Sequence, residues 1–402
     1  MMRKVAQSVS VNVFVTTEMD SITLRYNIPF SDGTIFEDEL TAKYNQPLNL
    51  PFDISLIENY FVIFLSQLFL STGIIDLVCS HEEVTYYQEF SNLLYNIRNY
   101  EEGTNCYPKT YKFTNRPLEK QYKNNETIVM NLVSGGKDSL VSDFLLKRNK
   151  AKVQRCFVAS LNVASDEKER VACQQLYSEF DTIELHGFDR LVTQLVQISD
   201  CYGQPPQKNY IPKGRDILTI ALIYPLAIQY GCSYISHGCE KDLWENNIEI
   251  DGKVIPVHDS QSKFVVEPMS KQLELSTGIT LFSPICGMHE IYILTWLIKN
   301  HPSKANLIQS CFYDSWCGKC SKCLRYYLIE QSIDTKVFDF KSDPSQMVND
   351  VAVQLKNINA KKKVRYYKEL CYLMGDSQYC KELLTPIFSN HFPQFFKEWE
   401  LG

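Results

Sequence analysis

Apolar and polar residues alternate from Val9 to Val15, and again from Ser21 to Tyr26. A period of two belongs to a strand with one covered face, and two such runs this close predict neighbouring strands. An apolar run follows from Tyr60 to Ile75 with no charge across it. It is shorter than the roughly 20 residues a bilayer span needs, and Ser66, Gln67, Ser71, Thr72 and Gly73 interrupt it. A buried core helix is expected there, with Asp53 as its candidate cap. Glu89 to Asn99 reads as a second helix. Asn115 to Glu126 is polar and reads as a linker, so residues 1–120 are expected to form an α+β region of their own.

Beyond residue 127 the pattern changes. Ile128–Leu132, Lys152–Ala159, Thr182–Leu185 and Tyr234–Ser236 read as strands. Helical runs separate them: Leu140–Leu146, Asp166–Phe180 and Asp216–Tyr230. Strands alternating with helices predict a parallel sheet covered on both faces, with ligands at the carboxyl ends of the strands. The tail, 334–402, is polar and aromatic with helical runs near Val351–Leu355 and Tyr366–Leu373. The expected fold class is α/β: a parallel-sheet domain over 127–333, an α+β N-terminal region and a helical C-terminal extension.

Composition narrows this picture. The chain has 402 residues, 45% hydrophobic and 22% charged, enough for two or three globular domains with a normal core. A net charge of -6 gives no general pull toward nucleic acid, so a nucleic-acid partner is not expected. Met1–Ser8 lacks a long apolar stretch, so no secretory leader and no membrane partner are expected. The 14 cysteines include four in one short stretch. In a chain of this length that clustering points to a reducing cytoplasm and a metal site rather than to disulfides.

The chemistry concentrates in two places. The first is Ser134-Gly135-Gly136-Lys137-Asp138-Ser139, between a predicted strand and a predicted helix. Two glycines allow a tight turn and close approach of a ligand. The following helix points its free N–H groups and positive dipole end into that turn, where phosphate is the usual occupant. Ser134 and Ser139 offer hydroxyls, and Lys137 adds a point charge. Asp138 suits a loop-orienting role or a magnesium ion. A plain helix N-cap is the bland alternative. The spacing is not that of a Walker A loop.

The second is Cys311, Cys317, Cys320 and Cys323. Four thiolates this close suit one tetrahedral zinc ion. An iron–sulfur cluster is the competing reading, although the fourth cysteine here lies upstream rather than downstream before a proline. Cys239 is the one cysteine outside the quartet that sits in a motif.

The Ser134–Ser139 loop resembles the SGGxDS loop of the PP-loop ATP pyrophosphatases, which implies cleavage of ATP to AMP and pyrophosphate. With the cysteine quartet added, residues 127–330 resemble the 7-cyano-7-deazaguanine synthase (QueC) family. Ile211-Pro212-Lys213-Gly214-Arg215-Asp216 is similar to its V-P-G-R-N segment, with one residue inserted. Ile235–Asp242 resembles the strand and loop that approach the substrate. Asp259–Phe264 resembles a weakened P-D-C-R-x-x-F, Ser283-Pro284-Ile285 resembles T-P-L, and Cys311–Arg325 resembles the zinc motif.

The resemblance implies ATP, Mg2+ and Zn2+ as cofactors and a 7-carboxy-7-deazaguanine carboxylate as the group adenylated. An amine then displaces AMP. It assigns catalysis to Lys137, Asp138 and Arg215. The nucleotide would be held by Ser134, Gly135, Gly136, Ser139, Gly214 and Arg215, and the substrate by Gly238, Glu240, Asp242 and Lys263. His237 stands where the family has glycine, and is open between a core histidine and an acid–base group. The Cys and Arg of P-D-C-R are lost, the lysine after T-P-L is not at its expected place, where His289 and Glu290 stand nearby, and residues 1–120 and 334–402 have no counterpart.

These departures fall on the substrate side. They resemble QueC-like proteins of anti-phage defence clusters more than the tRNA-modification enzyme. The implied acceptor is an amine on a partner protein docked through the N-terminal region; a homodimer is left open. The standard ammonia-using synthase, an adenylating tRNA-base thiolase with Cys239 near the loop, and a non-enzymatic ATP-binding module are the alternatives.

Overall fold

Strands β1 (Ser8–Val15), β2 (Ser21–Pro29) and β3 (Ile35–Tyr44) form an antiparallel meander, with Val11 opposite Tyr26 and Arg25 opposite Glu39. The first two are the expected pair. In β2 the apolar set Ile22, Leu24, Tyr26 and Ile28 is buried. On its polar set Arg25 pairs with Glu39 at 3.2 Å and Asn27 donates to Glu37 at 2.7 Å. Such cross-strand pairs hold the register. The computed structural model describes residues 6–15, 20–48, 52–69, 73–117, 127–159, 166–191, 214–256, 258, 261–311, 316–357 and 382.

The apolar run does not form one element. Helix α1 (Ile54–Leu68) is capped by Asp53, whose carboxylate accepts from the Ser55 N–H at 2.9 Å. Its neighbours on all sides are protein: 13 of its 15 residues are buried, so it is a central helix rather than a surface one. The run then changes element, because Ile74–Cys79 is a strand, β4, lying parallel to β1. Helix α2 (Val84–Glu102) extends the expected helix at both ends and leads to β5 (Thr110–Asn115), parallel to β4. The linker expected at 115–126 begins inside β5, and residues 118–126 lie outside the described residues.

The second half is β6 (Ile128–Leu132), α3 (Lys137–Arg148), β7 (Lys152–Ala159), α4 (Asp166–Leu176) and β8 (Asp181–His186), then α5 (Arg215–Gln229) and β9 (Tyr234–Ser236). A one-turn helix α6 (Lys241–Trp244), the hairpin β10 (Asn247–Ile250) and β11 (Lys253–Pro256), α7 (Lys263–Thr277) and β12 (Thr280–Phe282) follow. α8 (Glu290–Asn300), α9 (Pro302–Ala305), α10 (Ser321–Ser332) and α11 (Pro344–Asn357) complete the described elements. The helix expected at Asp166–Phe180 stops at Leu176. The C-terminal extension is helical over α11; the run expected at Tyr366–Leu373 lies outside the described residues.

Strands β12-β9-β6-β7-β8 are parallel neighbours in that order. The chain steps outward from β6 to β8, then returns to the other side of β6 for β9. Winding therefore reverses between β6 and β9, and their carboxyl ends splay apart to leave a crevice. Side chains alternate across this sheet. Ile128, Met130, Cys156 and Val158 enter one apolar core, while Phe157 and Ala159 enter a second core with α3, α8 and α10. Both faces are covered, which explains why Ile128, Val129 and Met130 of β6 are apolar in succession.

The N-terminal meander joins the same sheet. Thr41–Tyr44 of β3 pair antiparallel with Ile183–His186 of β8, giving one mixed, mostly parallel sheet of ten strands. Tyr44 donates its hydroxyl to the Leu222 carbonyl of α5 at 2.7 Å. No helix among the described residues is long and apolar enough to cross a membrane.

Candidate functional site

The loop Ser134–Ser139 sits at the carboxyl end of β6, beside the reversal point. Gly135 has φ +68°, and a Cβ there would lie 2.7 Å from the Ala172 Cβ and 2.9 Å from the Glu169 carbonyl oxygen. Glycine is required on both counts. The loop braces itself: the Ser134 N–H donates to Ser139 Oγ at 3.4 Å, and that hydroxyl donates to the Gly136 carbonyl at 3.2 Å. From below, the buried Asn131 donates to the Ser139 carbonyl at 3.2 Å. The loop after β9 crosses close above, since a Cβ at Gly238 would lie 3.2 Å from the Asp138 carbonyl carbon.

Between them is a crevice of about 170 Å³, lined by Ser134, Asp138 and Ser139 from the first loop, and by Arg215, Asp216, His237 and Gly238 from α5 and the loop after β9. Asp166, Glu169, Thr219 and Gln261 also face it. Arg215 Nε lies 3.6 Å from Asp216 Oδ1. Burial pushes the pKa of His237 down, Asp216 opposes this and Arg215 adds to it; the net shift is downward.

Lys137 is engaged by carboxylates of the protein itself. Only 5% exposed, it is turned beneath the loop. Its ammonium lies 2.7 Å from both oxygens of Asp138, 2.7 Å from Glu240 and 3.3 Å from Glu290. Burial alone would lower its pKa, but Asp138, Glu240 and Glu290 outweigh that and hold it well above the usual lysine range. Glu290 in turn sits 3.0 Å from Arg325 Nε of α10. A buried ion network thus runs beneath the loop toward the cysteine quartet.

Of the expected substrate residues, Gly238 lines the crevice and Glu240 belongs to this network. Asp242 is engaged elsewhere: it lies 2.6 Å from His289 Nδ1 and accepts from the Glu290 N–H at 2.9 Å. Lys263 opens α7, with its ammonium 5.2 Å from the Phe264 ring centre, while Gln261 faces the crevice. Residues 211–213 and 259–260 of the expected motifs lie outside the described residues. Asp216 closes the Ile211–Asp216 segment, whereas no local spacing marks Asp166 or Glu169; the strand order brings all three to the crevice.

The quartet is one buried cluster. The ligand atoms of Cys311, Cys317, Cys320 and Cys323 lie within 4.8 Å of one another, with sulfur pairs at 3.5, 3.8, 3.9 and 3.9 Å. A zinc ion about 2.3 Å from each thiolate sets tetrahedral sulfurs about 3.8 Å apart. The spacing fits one such ion and is far too wide for disulfides. A four-iron cluster, with each thiolate on its own iron, would spread the sulfurs further.

The local chain is built for this. Gly318 turns with φ +69°, and Ser342 Cβ approaches to 2.6 Å of where its Cβ would be. N–H groups of Cys317 and Lys319 donate to the sulfurs of Cys311 and Cys317 at 3.5 and 3.3 Å. Cys320 caps α10, so its positive end faces the thiolates. The quartet also braces the first loop, because Gln309, two residues before Cys311, donates its N–H to the Gly135 carbonyl at 2.8 Å.

Residues 271–374 match a family model described as a family of unknown function (DUF6395). The match includes the quartet, Glu290 and Arg325, and excludes the Ser134–Ser139 loop. No curated protein matches the chain.

Proposed function

We propose that this chain is an ATP-dependent ligase. It adenylates a carboxylate of the 7-carboxy-7-deazaguanine type, releases pyrophosphate, and joins the acyl group to an amine on a partner protein, in the manner of QueC-like proteins of anti-phage defence. The observation that carries the reading is the position of the Ser-Gly-Gly-Lys-Asp-Ser loop. It lies at the carboxyl end of the strand where the winding of a parallel sheet reverses, the place where such sheets bind nucleotides.

In this reading the loop N–H groups and the hydroxyls of Ser134 and Ser139 hold phosphate, with Arg215 opposite them across the crevice. Asp138 is the residue that would hold a magnesium ion, which would neutralise charge on the departing pyrophosphate. Lys137 acts from beneath, fixing Asp138 and the loop rather than touching phosphate. A zinc ion held by Cys311, Cys317, Cys320 and Cys323 would be structural, supporting the loop through Gln309 and Arg325.

The direct test measures AMP and pyrophosphate formed from ATP with and without candidate carboxylates. Release should depend on the deazaguanine carboxylate and fall on Asp138→Ala by the equivalent of about 3 kcal/mol or more. Turnover near the wild-type rate in that variant removes Asp138 from the reaction. Intact-mass measurement of candidate partner proteins, incubated with the full chain, ATP and the carboxylate, identifies the acceptor. Free amide or nitrile as the sole product would favour the ammonia-using synthase instead.

A further inference from the structure

We propose that Asp242 and His289 form the base that deprotonates the acceptor amine, with His289 Nε2 taking the proton and Asp242 positioning the ring. The proposal rests on the ligase reading above and adds what that reading lacks: a group that makes the amine reactive. At neutral pH an alkylamine is an ammonium with no lone pair. A site that acylates it must take protons from it.

The pair sits where two loops are joined. Strands β6, β9 and β12 are parallel, so the loops after β9 and β12 leave the sheet on the same side as the Ser134–Ser139 loop. The Lys241 N–H, at the end of the loop after β9, donates to the Met288 carbonyl, in the loop after β12, at 2.9 Å. Asp242 follows on the first segment and His289 on the second. Both segments border the crevice machinery. Gly238, earlier on the first, lines the crevice, and Glu290, next to His289, lies 3.3 Å from Lys137.

The contacts fix the ring. Asp242 Oδ2 accepts the Glu290 N–H, one of the free donors at the start of α8, at 2.9 Å. Its Oδ1 lies 2.6 Å from His289 Nδ1. An ionised carboxylate only accepts, so Nδ1 carries the hydrogen and the neutral ring has its lone pair on Nε2; this tautomer is assigned from the contacts. Nε2 has no polar partner among the described residues. Asp242 also faces the positive charge the ring acquires when Nε2 takes a proton, as the carboxylate of a catalytic triad does.

Exposure selects the kind of acceptor. The His289 side chain is 45% exposed and that of Asp242 only 19%, so the base opens to solvent while its positioning partner is shielded. Tyr292 stands beside it on α8, half exposed, with ring centres 6.1 Å apart. An amine on a long side chain of another protein can reach Nε2 from outside, its methylenes along the Tyr292 ring.

The step balances as follows. The ammonium gives one proton to Nε2, which passes it to solvent. The freed nitrogen lone pair attacks the acyl-adenylate carbonyl carbon and a C–N bond forms. The C–O bond to AMP breaks, and its electron pair leaves on the phosphate oxygen. Nε2 accepts the second nitrogen proton, and the amide is neutral.

Two measurements on the full chain decide this. The first compares His289→Gln and Asp242→Asn with wild type, all shown to be folded by matching thermal midpoints. Each receives ATP, the deazaguanine carboxylate and either butylamine or hydroxylamine, which is neutral at pH 7 and needs no base. Relative to the hydroxamate formed by the same variant, amide formation with butylamine should fall about 100-fold or more in His289→Gln. Asp242→Asn should lower the same ratio. Its oxygen is required by the Glu290 N–H, so its NH2 would face Nδ1 and move the ring proton to Nε2. Equal loss with both nucleophiles, or an unchanged ratio, overturns the proposal while leaving the ligase reading in place. No pyrophosphate release by wild type defeats the ligase reading itself, and this proposal with it.

The second needs no turnover. The side-chain 15N signals of His289, identified by their loss in His289→Gln, should report the Nδ1–H tautomer of the neutral ring in wild type and the Nε2–H tautomer in Asp242→Asn. An Nε2–H tautomer in wild type overturns the proposal whatever the first measurement gives.

Discussion

Lys137 Nζ lies within 3.3 Å of Asp138, Glu240 and Glu290 together, and the last two are almost wholly enclosed. Replacing it with methionine leaves buried carboxylates without their central charge. Lys137→Met is expected to cost about 3–5 kcal/mol of stability, read as a lower urea midpoint. Asp138→Asn should differ: its side chain is 32% exposed, so stability should change little while the proposed reaction suffers. Equal stability loss in the two variants would contradict this division of roles. The glycine turn and its flanking strand were legible in the sequence because they are contiguous. The destination of Lys137 was not, since Glu240 and Glu290 lie a hundred or more positions away and nothing local distinguishes a lysine aimed at phosphate from one aimed at carboxylates.

At the level of elements, α1 and β4 show where periodicity misleads. One apolar run served two elements because the enclosed helix α1 and the apolar opening of β4, Ile74 and Ile75, follow one another closely, and short apolar runs of helix and strand look alike in sequence. Their junction is held by a polar side chain. Buried Asn59 donates to the Val78 carbonyl at 2.8 Å and accepts from the Val78 N–H at 2.7 Å. Asn59→Leu should leave two backbone groups unsatisfied and cost about 1–3 kcal/mol for each, measured by chemical denaturation.

The cysteine knuckle gives the second expectation at this scale. Burial and the neighbouring thiols push the Cys317 pKa up to about 11, and the Cys311 and Cys320 thiols together with burial raise that of Cys323 as well. Without metal these two thiols are protonated, so binding releases protons. Metal affinity should therefore fall steadily as pH is lowered anywhere below about 11. Chelation or Cys320→Ser should speed amide exchange in Cys317–Ser332. The effect should reach Gly135 through the Gln309 bond. Metal affinity independent of pH would remove the thiolates as ligands. The quartet was legible because its spacing is local; its bond to the loop was not.

Across the whole molecule, the N-terminal region is not a detachable attachment. Its strand β3 completes the edge of β8, and α1 covers Ile217, Leu222 and Tyr224 of α5 in a common core. A fragment of residues 127–402 would expose that face and a bare strand edge. It is expected to aggregate or bind ANS strongly; a monodisperse fragment with native near-ultraviolet dichroism would show the opposite. Any docking role for the first 120 residues is therefore best read in the full chain. The two regions were legible in the sequence as different patterns. Their union was not, because strand pairing at such separation leaves no mark in local periodicity.

That union has a consequence for how the chain is made. Tyr44 cannot meet Ile183 until the ribosome has added everything between them, a delay on the order of ten seconds at ordinary synthesis rates. During that interval the meander is a nascent sheet with an open border. Glu37, Asp38 and Glu39 stand along the half of β3 that β8 never reaches, and Lys43 lies within the half it does. Charges on an open border discourage pairing with other chains. The acidic run that hid β3 from its own hydrophobic pattern is thus suited to guard the unfinished protein, and neutralising it should lower soluble yield during synthesis more than it lowers the stability of the finished fold.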